Sequence, residues 1–136
     1  MARNQDVSPS VPGPFADEAR RRWLQLKDEL TTDVAEFNVR QSGAEFSQPS
    51  SNQFVVTNSL SGVSLTLTAD FNAQMIYYDY APINKNSAGV PQGGILSIRQ
   101  SHRGIVDFYS ADERLTSEEA RKVLLEPVLF PPQLAA

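Results

Sequence analysis

Gly62-Val63-Ser64-Leu65-Thr66-Leu67-Thr68-Ala69 is the stretch whose reading decides the fold. Val63, Leu65, Leu67 and Ala69 alternate with Ser64, Thr66 and Thr68. Successive side chains of a strand point to opposite faces, so this is a half-buried strand with one apolar face and one hydroxyl face. Such a strand needs a second layer over its apolar side.

That layer lies upstream. Trp23, Leu26, Leu30, Val34 and Phe37 recur every three or four residues, with Ala19 extending the stripe backwards. This is one apolar face of a helix. The helix is predicted from Pro14, which suits a first turn, to about Arg40, with Gly43 as the stop signal. Arg20-Arg21-Arg22 on it reads as part of a solvated face, although a basic run could also grip a phosphate or an acidic partner. Residues 41–52 read as a polar loop.

Period-two stretches surround the opening one. Residues 53–58, 62–69, 74–80, 94–100 and 104–110 are predicted strands, joined by short turns into an antiparallel meander of about five strands. Residues 81–93 form a long loop. Thr116-Ser117-Glu118-Glu119 is a capping box opening a second helix over 117–125. Pro127 is expected to end or kink it, and Val128, Leu129 and Phe130 to dock as an apolar tail. The fold class is therefore α+β: a long N-terminal helix packed on a roughly five-stranded antiparallel sheet, with a short C-terminal helix. Residues 1–13 read as a flexible N-terminal arm and 14–136 as one domain.

Composition narrows the chemistry. The 136 residues include no cysteine, one histidine and one tryptophan. Disulfides, thiolate chemistry, Cys-ligated zinc and multi-histidine metal sites are excluded. Sixteen acids against twelve bases give a net charge of −4, which argues against nucleic acid. No apolar run is long enough to span a membrane and no leader pattern is seen, so a soluble, cytoplasmic protein is expected. No catalytic residue, metal site or cofactor is assigned. Charge is also unevenly placed: between residues 50 and 98 only Asp70, Asp79 and Lys85 carry it.

Strict alternation separates two sheet faces. Phe54, Val56, Val63, Leu65, Leu67, Ile76, Tyr78, Leu96, Ile98, Val106 and Phe108 are expected to face the helix. Val55, Met75, Tyr77, Asp79, Ile95, Arg99, Ile105, Asp107 and Tyr109 then fall on the other side. A bare face with that content is a large apolar patch, and such patches mark contacts; the Val128–Phe130 tail could also cover it. Asp79, Arg99 and Asp107 on this face read as a cross-strand ion pair, or as an acid–base pair with an arginine clamp. His102 sits in a tight turn, with no nucleophile or orienting acid at motif spacing. Gly93-Gly94 lacks the Gly-Lys-Ser/Thr ending of a phosphate loop.

The helix-then-meander order resembles the cystatin fold class. Gln53-Phe54-Val55-Val56-Thr57 echoes that family's Q-x-V-x-G loop only in part, since Thr57 stands where glycine belongs, and the inhibitor function is not carried over. Small acidic secretion chaperones are similar in size and charge but place a helix inside the strand series, which residues 81–93 cannot easily supply.

The expected function is a small non-catalytic protein-interaction domain, a homodimer or an adaptor- or chaperone-like partner binder. Its contact face holds Met75, Tyr77, Ile95, Arg99, Ile105 and Tyr109. One alternative is a small-molecule binder or cofactor-free enzyme with a pocket between sheet and helix, or under the 81–93 loop, using Tyr78, Tyr80, Arg99 and His102. Another is a structural component of a larger assembly.

Overall fold

The computed structural model describes residues 13–83, 90–101 and 103–130. His102 and residues 1–12, most of the expected arm, lie outside them. Helix α1 (Gly13–Arg40) is followed by seven strands and then helix α2 (Ser117–Leu129). The strands are β1 (Ala44–Ser50), β2 (Gln53–Asn58), β3 (Val63–Asp70), β4 (Met75–Pro82), β5 (Gly94–Gln100), β6 (Val106–Ser110) and β7 (Glu113–Arg114). They form one antiparallel sheet in chain order. The fold is the expected α+β arrangement, with two strands more than the alternation reveals.

Both additional strands lie at the edges. Residues 44–50, expected to be loop, pair with β2 through Ala44↔Asn58 and Phe46↔Val56. Pro49 is tolerated because an edge strand needs hydrogen bonds on one side only. The two residues of β7 pair with Tyr109 and Ser110.

Every residue expected to face the helix is buried except Tyr78, which is half-buried. Their cover is the α1 stripe, with Ala19, Trp23, Leu26, Leu30, Val34 and Phe37 all buried. Trp23 stacks on Phe54 with ring centroids 3.9 Å apart and donates Nε1–H to the Ser51 carbonyl at 3.0 Å.

Helix α2 packs on the same sheet face as α1. Ala120, Leu124, Leu125, Val128 and Leu129 belong to the same core as Phe54 and Leu65. Hydrogen bonds fix its position. Buried Asn58 donates Nδ2–H to the Val128 carbonyl at 2.9 Å, which lies past the reach of further helical N–H groups. The Thr116 hydroxyl accepts from Glu119 N–H at 3.0 Å, and the Glu119 carboxylate accepts from Thr116 N–H at 2.8 Å. The capping box is thus formed.

α2 does not end near residue 125 as expected, and Pro127 lies inside it. Proline has no N–H, so the Val123 carbonyl one turn earlier loses its helical partner. The Tyr80 hydroxyl lies 3.0 Å from that carbonyl and 2.8 Å from the Leu124 carbonyl. Strand β4 thereby supplies the donor the proline lacks, while burial of Val128 and Leu129 favours continuation. The Tyr80→Phe variant is expected to lose about 1 kcal/mol, the ordinary net contribution of a hydrogen bond to partly exposed carbonyls. Urea unfolding checks this, and an unchanged midpoint would show that the proline gap is satisfied otherwise.

Candidate functional site

The outer sheet face, opposite both helices, is built from cross-strand rows. One row runs Gln53, Thr68, Tyr77, Ile95 across β2 to β5. The next runs Asp70, Met75, Ser97, Tyr109, Arg114 across β3 to β7. Residues directly opposite on neighbouring strands lie about 5 Å apart. Tyr77 and Ile95 therefore touch as a pair, with Met75 and Tyr109 in the adjoining row. Tyr77 is 37% exposed and Ile95 51%, while Met75 and Tyr109 are half-buried. The Tyr77 hydroxyl lies 3.6 Å from Met75 Sδ.

Towards β2 the face becomes hydroxyl-rich. Val55, Thr57, Ser64, Thr66 and Thr68 are half-buried there. The Ser/Thr alternation of β3 thus gives a water-compatible half, and β4 to β6 give an apolar half. No side chain of α2 reaches this side, because Val128 and Leu129 are buried on the α1 side. The expected possibility that residues 128–130 cover the outer face is overturned. Phe130, expected to dock with them, is 63% exposed.

The remaining sequence-picked residues divide. Arg99 sits at the margin of the patch, its guanidinium 5.2 Å from the Tyr109 ring centroid and 3.2 Å from Asp112 Oδ1. Ile105, 46% exposed, precedes β6 at the hairpin end and stands apart from the two rows. Tyr78 and Tyr80 point to the helix side, as their partners Leu67 and Leu65 do. The Tyr78 ring lies over Gly94, where an added Cβ would come within 2.6 Å of its hydroxyl. At Gly93 a Cβ would come within 2.0 Å of the Tyr78 carbonyl. The glycine pair therefore lets β5 approach β4. Burial raises the Tyr80 pKa, and its hydroxyl is already engaged by α2.

Asp79, Arg99 and Asp107 do not form one cluster. Asp107 is opposite Arg99 in register, but its carboxylate holds Arg22 of α1 at 3.1 Å and Arg114 of β7 at 2.8 Å. Arg22 is buried, which corrects the reading of Arg20–Arg22 as one solvated face. Arg20 lies over Phe71 and Arg21 pairs with Glu18.

A second surface feature escaped the sequence reading. Between the C-terminal half of α1 and α2 runs a groove of about 1050 Å³. Val39 lies off the apolar stripe of α1, and Phe130, expected to dock with the tail, stands exposed on the groove wall. The available signal was Val39, an apolar residue off the α1 stripe. Among the described residues no group of three or more His, Asp or Glu could hold a metal ion, and no helix is long and apolar enough to cross a membrane.

No protein-family model matches the chain, and neither a curated protein nor a solved structure matches it at a significant level.

Proposed function

We propose that the protein is a non-catalytic interaction domain that docks a protein partner through its outer sheet face. One observation carries this reading: both helices pack on the same side of the sheet, and among the described residues no layer covers the face that holds Tyr77, Ile95, Met75 and Tyr109. Aromatic residues and methionine with few lysines are the composition of an interface centre. The space between helices and sheet is filled by fully buried side chains, Leu26, Leu30, Phe54, Leu65 and Phe108 among them, which favours this reading over a ligand pocket there. A suitable partner presents an equally charge-poor apolar surface, a condition that a second copy of the chain meets.

A photo-crosslinking side chain placed at Ile95 tests the proposal against the same group at exposed Gln25 on α1. The expected result is a discrete crosslinked species from Ile95 alone, either a chain dimer or one recurrent heterologous protein. Tyr77→Asp should abolish it, because a carboxylate desolvated at the centre of an interface has no partner. Equal crosslinking from both positions, or none from Ile95, would overturn the proposal.

A further inference from the structure

Helices α1 and α2 leave a groove on the surface away from the sheet. Phe37 and Leu125 lie at its base and are buried, while Val39 and Phe130 stand on its walls. Val39 is 85% exposed and Phe130 63%, more than any other large hydrophobic residue among those described. Phe130 meets Phe37 edge-on at 6.1 Å, so the exposed ring continues a buried aromatic contact outwards. Solvated apolar groups gathered in one concave strip are the anchor pockets that an amphipathic helix fills.

The rim specifies the charge of the occupant. Asp33, Glu36, Glu118, Glu119 and Glu126 line the groove against Arg40, Arg121 and Lys122. Arg121 is committed within the wall, 3.0 Å from Asp33 Oδ2. Asp33 itself is half-buried, and that burial raises its pKa. Four carboxylates then face two cations. The helix axes add to this imbalance. Arg121 contacts Asp33, and Phe130, further towards the C-terminus of α2, contacts Phe37, further towards the C-terminus of α1. The two helices therefore run in the same sense and end beside each other. Each C-terminus carries about half a negative charge, so both negative ends meet at the Phe130 end of the groove.

We infer that this groove binds a partner's amphipathic helix, about three to four turns long, with an apolar stripe flanked by lysine or arginine. The length follows from α2, whose 13 residues span roughly 20 Å at about 1.5 Å per residue. The apolar stripe covers Val39 and Phe130, and the flanking cations meet Glu36, Glu118 and Glu126. This site lies on the helix layer and is independent of the outer sheet face.

The test uses a fluorescent 14-residue peptide with leucines at helical three–four spacing and lysines elsewhere, titrated into the full chain and followed by anisotropy. Saturable binding that weakens with added salt is expected. A Phe130→Ser, Val39→Ser double variant should weaken it at least about tenfold, the loss of one or two buried apolar anchors. Both positions are exposed, so the variant keeps its fold, which circular dichroism checks. A Glu36→Lys, Glu126→Lys variant should weaken it as well, while Ile95→Asp on the sheet should leave it unchanged. Binding that survives both groove variants would overturn the inference. Equal binding by a glutamate-for-lysine peptide, or by a scrambled peptide without the stripe, would do the same.

Discussion

Trp23→Ala is expected to cost about 3–5 kcal/mol of stability, the range for truncating a buried aromatic residue. Trp23 is 2% exposed, stacks on Phe54 with an interplanar angle of 8° and meets Phe71 edge-on at 6.2 Å. Its indole N–H also holds the Ser51 carbonyl at the β1–β2 turn. One side chain therefore joins α1, β2, the turn before β2 and the turn after β3. Stacked aromatic pairs add about 0.5–1.5 kcal/mol beyond area burial, which places the loss in the upper part of the range. A domain of this size has about 5–15 kcal/mol in all, so a large share disappears. Urea unfolding followed by circular dichroism measures it, since the variant has no tryptophan to report fluorescence. Leu24→Ala is the control: its neighbouring side chain is 52% exposed, and its cost should stay near 0.5 kcal/mol. Equal losses from the two variants would mean that the stripe is not what fastens α1 to the sheet.

The stripe and the Val63–Ala69 alternation were legible because each repeats one period over several turns or residues. Edge strand β1 was not. Ala-Glu-Phe-Ser-Gln-Pro-Ser (residues 44–50) has only two apolar side chains, and pairing with β2 decides its conformation. The extension of α2 through Pro127 was hidden for a related reason: the hydroxyl that repairs the helix comes from Tyr80, far away in sequence. The content of the candidate face followed from parity alone, whereas its exposure did not. Val128 and Leu129 could have gone to either side of the sheet until Asn58 and Tyr80 were seen to hold α2 against the α1 side. Arg22 carried a partial signal. Arg22, Glu29 and Asp33 form a second stripe beside the apolar one, and a charged stripe at helical spacing marks side chains flanking the core.

Arg22→Met should be the most damaging substitution of a charged residue. The Arg22 side chain is 4% exposed. Its Nε donates to Asp107 at 3.1 Å, its Nη2 to the Ser117 hydroxyl at 3.0 Å, and its guanidinium lies 4.5 Å from the Phe108 ring centroid. Among the described residues Nη1 has no hydrogen-bond partner; it stands 3.9 Å from Glu29 Oε1, which in turn lies 4.0 Å from Arg121. The side chain thus ties α1 to β6 and to the first turn of α2. Methionine keeps much of the packing over Phe108 but leaves Asp107 with Arg114 alone. Breaking a buried pair by removing one partner costs about 3–5 kcal/mol; retained Arg114 places the expected loss at about 3 kcal/mol on that scale. Asp107→Asn should cost a similar amount, because it weakens the hold on both arginines. The double variant should cost less than the sum of the two, since residues in one network couple. Raising salt should scarcely change the difference between Arg22→Met and the parent chain, whereas surface pairs such as Arg21–Glu18 are screened. Additive losses in the double-variant cycle, or a cost below about 1 kcal/mol, would place Arg22 among ordinary surface ion pairs. Coupling of the expected sign would make it the electrostatic counterpart of Trp23. Trp23 fixes α1 over β2, and Arg22 fixes the same helix turn over β6, so adjacent residues hold α1 across the width of the sheet.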